Sequence, residues 1–167
     1  MTLSPCTAPN SELSRPASPK WYGRRYPSED DLVAHGEAGG ALVIFYPGRV
    51  AIYRPETLDE AAAILIPTAV GPLGRIWLLA HELGHLAQHA GPRGQLLYTK
   101  DELAADRWAA RALIPEAAVQ RYRNASMDAF VAALWRHYEE FPMEDCPTRA
   151  LAGRIARVRL DLLEVAS

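Results

Sequence analysis

The stretch His81-Glu82-Leu83-Gly84-His85 has the residue types and the spacing to bind a metal ion and activate a water molecule. Two histidines four positions apart on an α-helix stand one turn apart and about 40° around its axis, so both Nε2 atoms can reach one zinc ion at about 2.1 Å. A glutamate directly after the first histidine lies beside that ion. There a carboxylate can hold a water, take its proton as the oxygen attacks a carbonyl carbon, and pass that proton to the leaving nitrogen. His81 and His85 are therefore candidate Zn2+ ligands and Glu82 the candidate catalytic base and acid. Gly84 keeps a side chain away from the site.

A catalytic zinc takes three protein ligands and keeps a fourth position for water. A metzincin pattern would need Gly at 88 and His at 91. The chain has Gln88 and Gly91, which excludes that class. Glu102 follows His85 by seventeen residues, on a segment able to pack as a helix antiparallel to the first, and is the expected third ligand. Asp106, one turn further along the same face, is placed to accept the Nδ1 proton of a ligand histidine and fix its tautomer. The plain alternative for both carboxylates is surface solvation with arginine neighbours. Asp101 competes for the metal by adjacency, although its side chain points about 100° away from that of Glu102.

His89 continues the i+4 series one turn too far to complete the same tetrahedron, and is read as supporting the site from behind the ligands. His35 and His137 have no spacing partner and read as packing residues. Tyr46, Tyr53, Tyr98 and His137 are all available as the further donor that a tetrahedral oxyanion would use. Trp77, Trp108 and Trp135 fall on apolar helical positions and read as core.

The elements that must hold these groups are legible from periodicity and punctuation. Ile76, Leu79, Leu83 and Leu86 recur at three and four residues, which predicts a helix from Arg75 to about Ala90, closed by Gly91-Pro92. Further helices are expected over Lys100–Leu113, from Pro115-Glu116, from Ser126, and after Pro147-Thr148. In the last of these, Arg149, Arg154, Arg157 and Arg159 read as a solvated face. Ser28, three residues before Asp31, predicts a capped short helix ended by Gly36, Gly39 and Gly40. Thr57–Glu60 could start a helical turn. Residues 41–46 and 50–54 are rich in β-branched and aromatic residues around Pro47-Gly48-Arg49 and read as a hairpin, with Ile64-Leu65-Ile66 as a third strand. Pro5, Pro9, Pro16 and Pro19, with Pro27 nearby, predict a flexible tail over residues 1–27 and a single domain over 28–167. The expected architecture is α+β: a small three-stranded sheet followed by a helical bundle that carries the His-Glu helix.

Composition narrows the function classes. A chain of 167 residues, 49% hydrophobic, can bury one core unaided, and a monomer is expected. Its net charge of −2 excludes a general polyanion binder, so no direct nucleic-acid contact is expected, although a local arginine face stays open. There is no apolar run of about 18 residues for a membrane span and none near the N-terminus for a signal peptide. With Cys6 and Cys146 as the only cysteines, thiols in a reducing, cytoplasmic compartment are expected.

Two blocks, Trp77-Leu-Leu-Ala-His-Glu-Leu-Gly-His-Leu-Ala-Gln-His89 and Asp101-Glu-Leu-Ala-Ala-Asp-Arg-Trp-Ala-Ala-Arg-Ala-Leu-Ile-Pro115, resemble the ImmA/IrrE family of zinc metallopeptidases in order and spacing. Glu102, Ala105, Asp106, Ala109, Leu113 and Pro115 fit that family's second motif, with Trp108 at the aromatic position. Ala104 stands where many members have another glutamate, so by that pattern the ligand role falls on Glu102. The resemblance implies a thermolysin-like zincin core with a short sheet. It also implies a protein substrate, often a helix-turn-helix repressor encoded nearby in phages, mobile elements or stress-response operons. The rival reading is a non-cleaving anti-repressor or toxin–antitoxin module that retains the zinc site. Zinc serving structure alone ranks last, because such sites are closed and rich in cysteine.

Overall fold

A computed structural model of the chain describes residues 18–57, 59–88, 98–138 and 147–164. Among the described residues six helices, α1 (Glu29–Ala38), α2 (Pro72–Ala87), α3 (Tyr98–Leu113), α4 (Glu116–Tyr122), α5 (Met127–His137) and α6 (Pro147–Glu164), accompany three strands, β1 (Leu42–Tyr46), β2 (Ile52–Arg54) and β3 (Ala63–Pro67). The fold is α+β.

The sheet order is β1-β3-β2, with β3 parallel to β1 and antiparallel to β2. The expected hairpin between residues 41–46 and 50–54 is therefore corrected: the third strand inserts between the two. Burial explains the choice. Ile64 and Ile66 of β3 are fully buried, whereas Leu42, Ile44 and Ile52 on the flanking strands are exposed. Each fully buried isoleucine is worth about 1.5–3 kcal/mol, so the strand with the most to bury takes the central position and pairs on both edges. Thr57, Asp59 and Glu60 are not helical. The Thr57 hydroxyl instead accepts hydrogen bonds from the backbone N–H groups of Asp59 and Glu60, making the turn that leads toward β3.

Helix α1 begins where Ser28 and Asp31 satisfy each other's backbone. Ser28 Oγ accepts from the Asp31 N–H at 3.1 Å, and Asp31 Oδ2 accepts from the Ser28 N–H at 2.8 Å. Arg25 grips the same carboxylate with two nitrogens at 2.7 Å. Gly39 caps the end of this helix, and Gly36 lies inside it. The chain is packed earlier than expected. Trp21 is buried, and Tyr22 and Tyr26 lie against the core, so the flexible tail does not extend to residue 27. Residues 1–17, including Cys6, lie outside the described residues, as does Cys146.

The stripe Ile76, Leu79, Leu83 and Leu86 on α2 is buried, as its period required, and joins Ile64 and Ile66 in one core with Phe130, Leu134 and Ile155 from the later helices. Trp77 and Trp135 are buried and Trp108 is half-buried against the same core. His35 sits between Trp108, stacked at 5.8 Å, and the edge of Trp21, so its role is packing. One arginine departs from the expected solvated face of α6. Arg159 is 5% exposed, its Nε donating to the Ile114 carbonyl at 3.0 Å and its Nη2 pairing with Glu116 at 2.7 Å, which ties α6 to the α3–α4 junction. Among the described residues no helix is long and apolar enough to cross a membrane.

Candidate metal centre

Helix α2 starts at Pro72 and runs unbroken to Ala87, so His81 and His85 project one turn apart, with ring centroids 4.9 Å from each other. Helix α3 packs across it. The contact is closest at Gly84, where an added Cβ would lie 2.7 Å from Ala105 Cα and 2.8 Å from the Ala105 carbonyl oxygen. A glycine is required here so that backbone can meet backbone. That approach brings Glu102 to the histidines: its Oε2 lies 3.2 Å from His81 Nε2 and its Oε1 3.3 Å from His85 Nε2. Ligand atoms of His81, His85 and Glu102 all fall within 4.8 Å of one another, and among the described residues these three form the converging group.

Behind the group, Asp106 Oδ1 accepts from His81 Nδ1 at 2.9 Å. Arg154 of α6 approaches the same oxygen at 3.5 Å and lies over the Trp77 ring. With its Nδ1 proton committed to Asp106, a neutral His81 turns a lone pair toward a carboxylate that also carries only lone pairs. Two acceptors at 3.2 Å repel unless a proton or a cation lies between them. A nitrogen, nitrogen, carboxylate-oxygen donor set is one that divalent zinc accepts, with room for a fourth partner. The donors therefore fit a zinc ion by chemistry and by convergence. The protonic alternative shows in the electrostatics: burial opposes charge on His81, yet the Asp106 hydrogen bond and the Glu82, Asp106 and Glu102 charges hold its pKa above the ordinary value. Burial and the neighbouring His81 hold His85 below it.

Glu82 and Arg159 are the two charged side chains buried among the described residues. Burial pushes the Glu82 carboxyl up to about 6, with Glu102 adding to the rise while His81 and a hydrogen bond from the Tyr53 backbone oppose it. Tyr53 belongs to β2, and its ring stacks on His85 at 6.4 Å between centroids. The edge strand thus borders the site through Tyr53.

The structure places the sequence-derived candidates unevenly. His81, Glu82, His85, Glu102 and Asp106 come together, whereas Asp101 does not join the converging donors. His89 and the side chain of Tyr98 lie outside the described residues. Of the other oxyanion candidates, Tyr53 borders the site. Tyr46 gives its hydroxyl to the Val50 carbonyl, and His137 stacks on Tyr26 on another part of the molecule. Arg154 was not legible as a site neighbour, because its partner Asp106 lies forty-eight residues away and nothing in the α6 pattern separates it from Arg149 or Arg157.

A sequence profile of Peptidase_M78, described as the IrrE N-terminal-like domain, matches residues 40–141, which is more than half of the chain and spans every strand and helices α2 to α5. No curated protein and no solved structure gives a significant match.

Proposed function

The chain belongs to the Peptidase_M78 family, the IrrE N-terminal-like peptidases that its motifs resemble, and from that premise we propose that it is a zinc-dependent endopeptidase acting on a regulatory protein of the helix-turn-helix repressor kind. The observation that carries the reading is one cluster: His81, His85 and Glu102 converging beside the buried carboxylate of Glu82.

In this reading His81, His85 and Glu102 hold the ion, which supplies Lewis-acid polarisation of a water and of the scissile carbonyl. Asp106 fixes the His81 tautomer, so that Nε2 faces the ion. Glu82 takes the proton of the attacking water and returns it to the departing amine. Its buried setting favours that exchange, because burial raises the basicity of the carboxylate above that of an exposed one. The Tyr53 backbone hydrogen-bonds Glu82, and the Tyr53 ring lies parallel to that of His85. The substrate class follows the family resemblance, and a cytoplasmic site of action follows from that class of substrate.

The test uses Glu82→Gln, which keeps the shape of the site and removes the base. Zinc content should stay at one equivalent while turnover falls by about 10²–10⁴ or more. The same variant, used as bait in the native host, should retain a substrate that zinc-loaded parent protein then cuts at one position. A captured repressor that stays whole would replace the peptidase by a sequestering module. Full turnover by Glu82→Gln would remove Glu82 from the chemistry.

A further inference from the structure

Away from the candidate metal site, the N-terminal segment around residues 24–26, helix α4 and helix α5 line an open surface pocket of about 740 Å³. Four arginines, Arg24, Arg25, Arg121 and Arg136, line it, and no carboxylate does among the described residues. Arg25 is engaged with Asp31, whereas Arg24, Arg121 and Arg136 form no ion pair with a described carboxylate. On a chain whose net charge is −2, this local excess of exposed arginines without carboxylate partners makes one concave place attractive to an anion. The guanidinium is the side chain best shaped for bidentate capture of phosphate oxygens.

The wall adds a second feature. Tyr26 and His137 are stacked face to face at 3.9 Å, and Arg121 lies over the Tyr122 ring at 5.7 Å, so flat surfaces border the cations. Ala117, Ala118 and Ala133 leave the space between them open. The volume falls in the range of small-molecule sites, about 300–1,000 Å³. The site is also separate from the metal. Glu102 and Leu113 stand near opposite ends of α3, about 16 Å apart at 1.5 Å per residue, and the pocket lies beyond the Leu113 end, at Pro115 and α4.

We propose that this pocket binds a small phosphorylated ligand with a flat ring, of the nucleoside monophosphate class, its phosphate held by Arg24, Arg121 and Arg136 and its ring lying against the Tyr26–His137 wall.

Titration calorimetry on the zinc-loaded full chain at about 0.15 M salt, where exposed charges beyond about 8 Å are screened, tests this with AMP, adenosine and inorganic phosphate as probes. AMP should bind one to one, and adenosine and phosphate at least tenfold more weakly. Arg121→Glu and Arg136→Glu should each weaken AMP at least tenfold with unchanged circular dichroism, since both side chains are exposed. Arg157→Glu, which does not line the pocket, should leave AMP affinity within twofold of the parent. Binding should survive removal of zinc by a chelator. The proposal fails if AMP does not bind at millimolar concentration, if phosphate binds as tightly as AMP, or if zinc removal abolishes binding. It also fails if neither charge reversal weakens AMP, or if a ten-nucleotide single strand binds through these arginines while AMP does not.

Discussion

Gly84→Ala tests the contact that assembles the candidate metal site. The new Cβ would lie 2.7 Å from Ala105 Cα and 2.8 Å from the Ala105 carbonyl oxygen. Carbon atoms in ordinary contact stand about 3.5–4.0 Å apart, so α3 must retreat by about 0.8 Å or more. Both obstructing atoms are backbone, and no side-chain rotation relieves them. Overpacking of this kind costs about 1–3 kcal/mol, while alanine in place of glycine in a helix returns about 1 kcal/mol. A net loss of up to about 2 kcal/mol corresponds to a Tm lowered by up to about 8 °C at 2–4 °C per kcal/mol. The effect on zinc should be larger in proportion. Ala105 lies between Glu102 and Asp106, and ligand distances tolerate only about 0.2 Å, so zinc affinity should drop at least tenfold. Competition against a chromophoric chelator reads the affinity and a thermal melt reads the stability. Gly153→Ala is the matched control: its added Cβ meets nothing within 4 Å, so it should stabilise by about 0.5–1 kcal/mol and leave zinc binding alone. If Gly84→Ala behaves like Gly153→Ala in both measurements, the close helix contact is not what sets the ligand geometry.

Four further outcomes follow from the same structure. Asp106→Asn should weaken zinc about 10–100-fold in the chelator assay, because the His81 tautomer loses its anionic acceptor; an unchanged affinity would detach Asp106 from the site. As a base, Glu82 must be ionised, so kcat/KM falls with acid; burial sets its pKa at about 6 and a bound cation draws it lower, so the acid limb should have its midpoint at or below about pH 6, and a midpoint above about 7 would refute the assignment. Ser28→Ala should cost about 1 kcal/mol through loss of the α1 cap. The Arg25 guanidinium holds the Asp31 carboxyl well below the usual carboxylate range. The stability from Asp31 is therefore fully present above its unfolded value near pH 4 and is lost as pH falls toward the folded one. The Tm gap between parent and Asp31→Asn should be wide at pH 7 and shrink toward pH 2; a gap independent of pH would show that the charge is not involved.

Local rules carried the helices well. The capping pair Ser28 and Asp31, Ser126 before α5, and Pro115 before α4 each act within one turn of chain, so the residues that terminate an element also announce it. The sheet was different. Pro47-Gly48-Arg49 is sound turn chemistry, yet pairing is a competition between strands. β3 won the centre because Ile64 and Ile66 gain more from burial than a local hairpin gains from proximity. Trp21 and Tyr22 sit next to a proline-rich stretch that reads as a tail, and only the packing of Trp21 on His35 and of Tyr22 on Trp108 shows that the domain already includes them.

The chemistry of the site was determined within the chain's own order. A histidine pair at i and i+4 with an intervening glutamate is set by helical pitch alone, and the 100° step separates Asp101 from the face of Glu102 and Asp106, while which face meets the histidines was decided by the packing of α3 on α2. Everything that turns those residues into a centre came from tertiary structure. Gly84 matters because Ala105 meets it, Glu82 acquires its raised pKa from burial and from Glu102, and Tyr53 and Arg154 arrive from β2 and α6. The arginine-lined pocket belongs to the same class, since Arg24, Arg121 and Arg136 share no pattern in sequence and line one open pocket only through the fold. Helical spacing is a local property of covalent geometry and hydrogen bonding, whereas desolvation and the gathering of charge depend on which surfaces pack together.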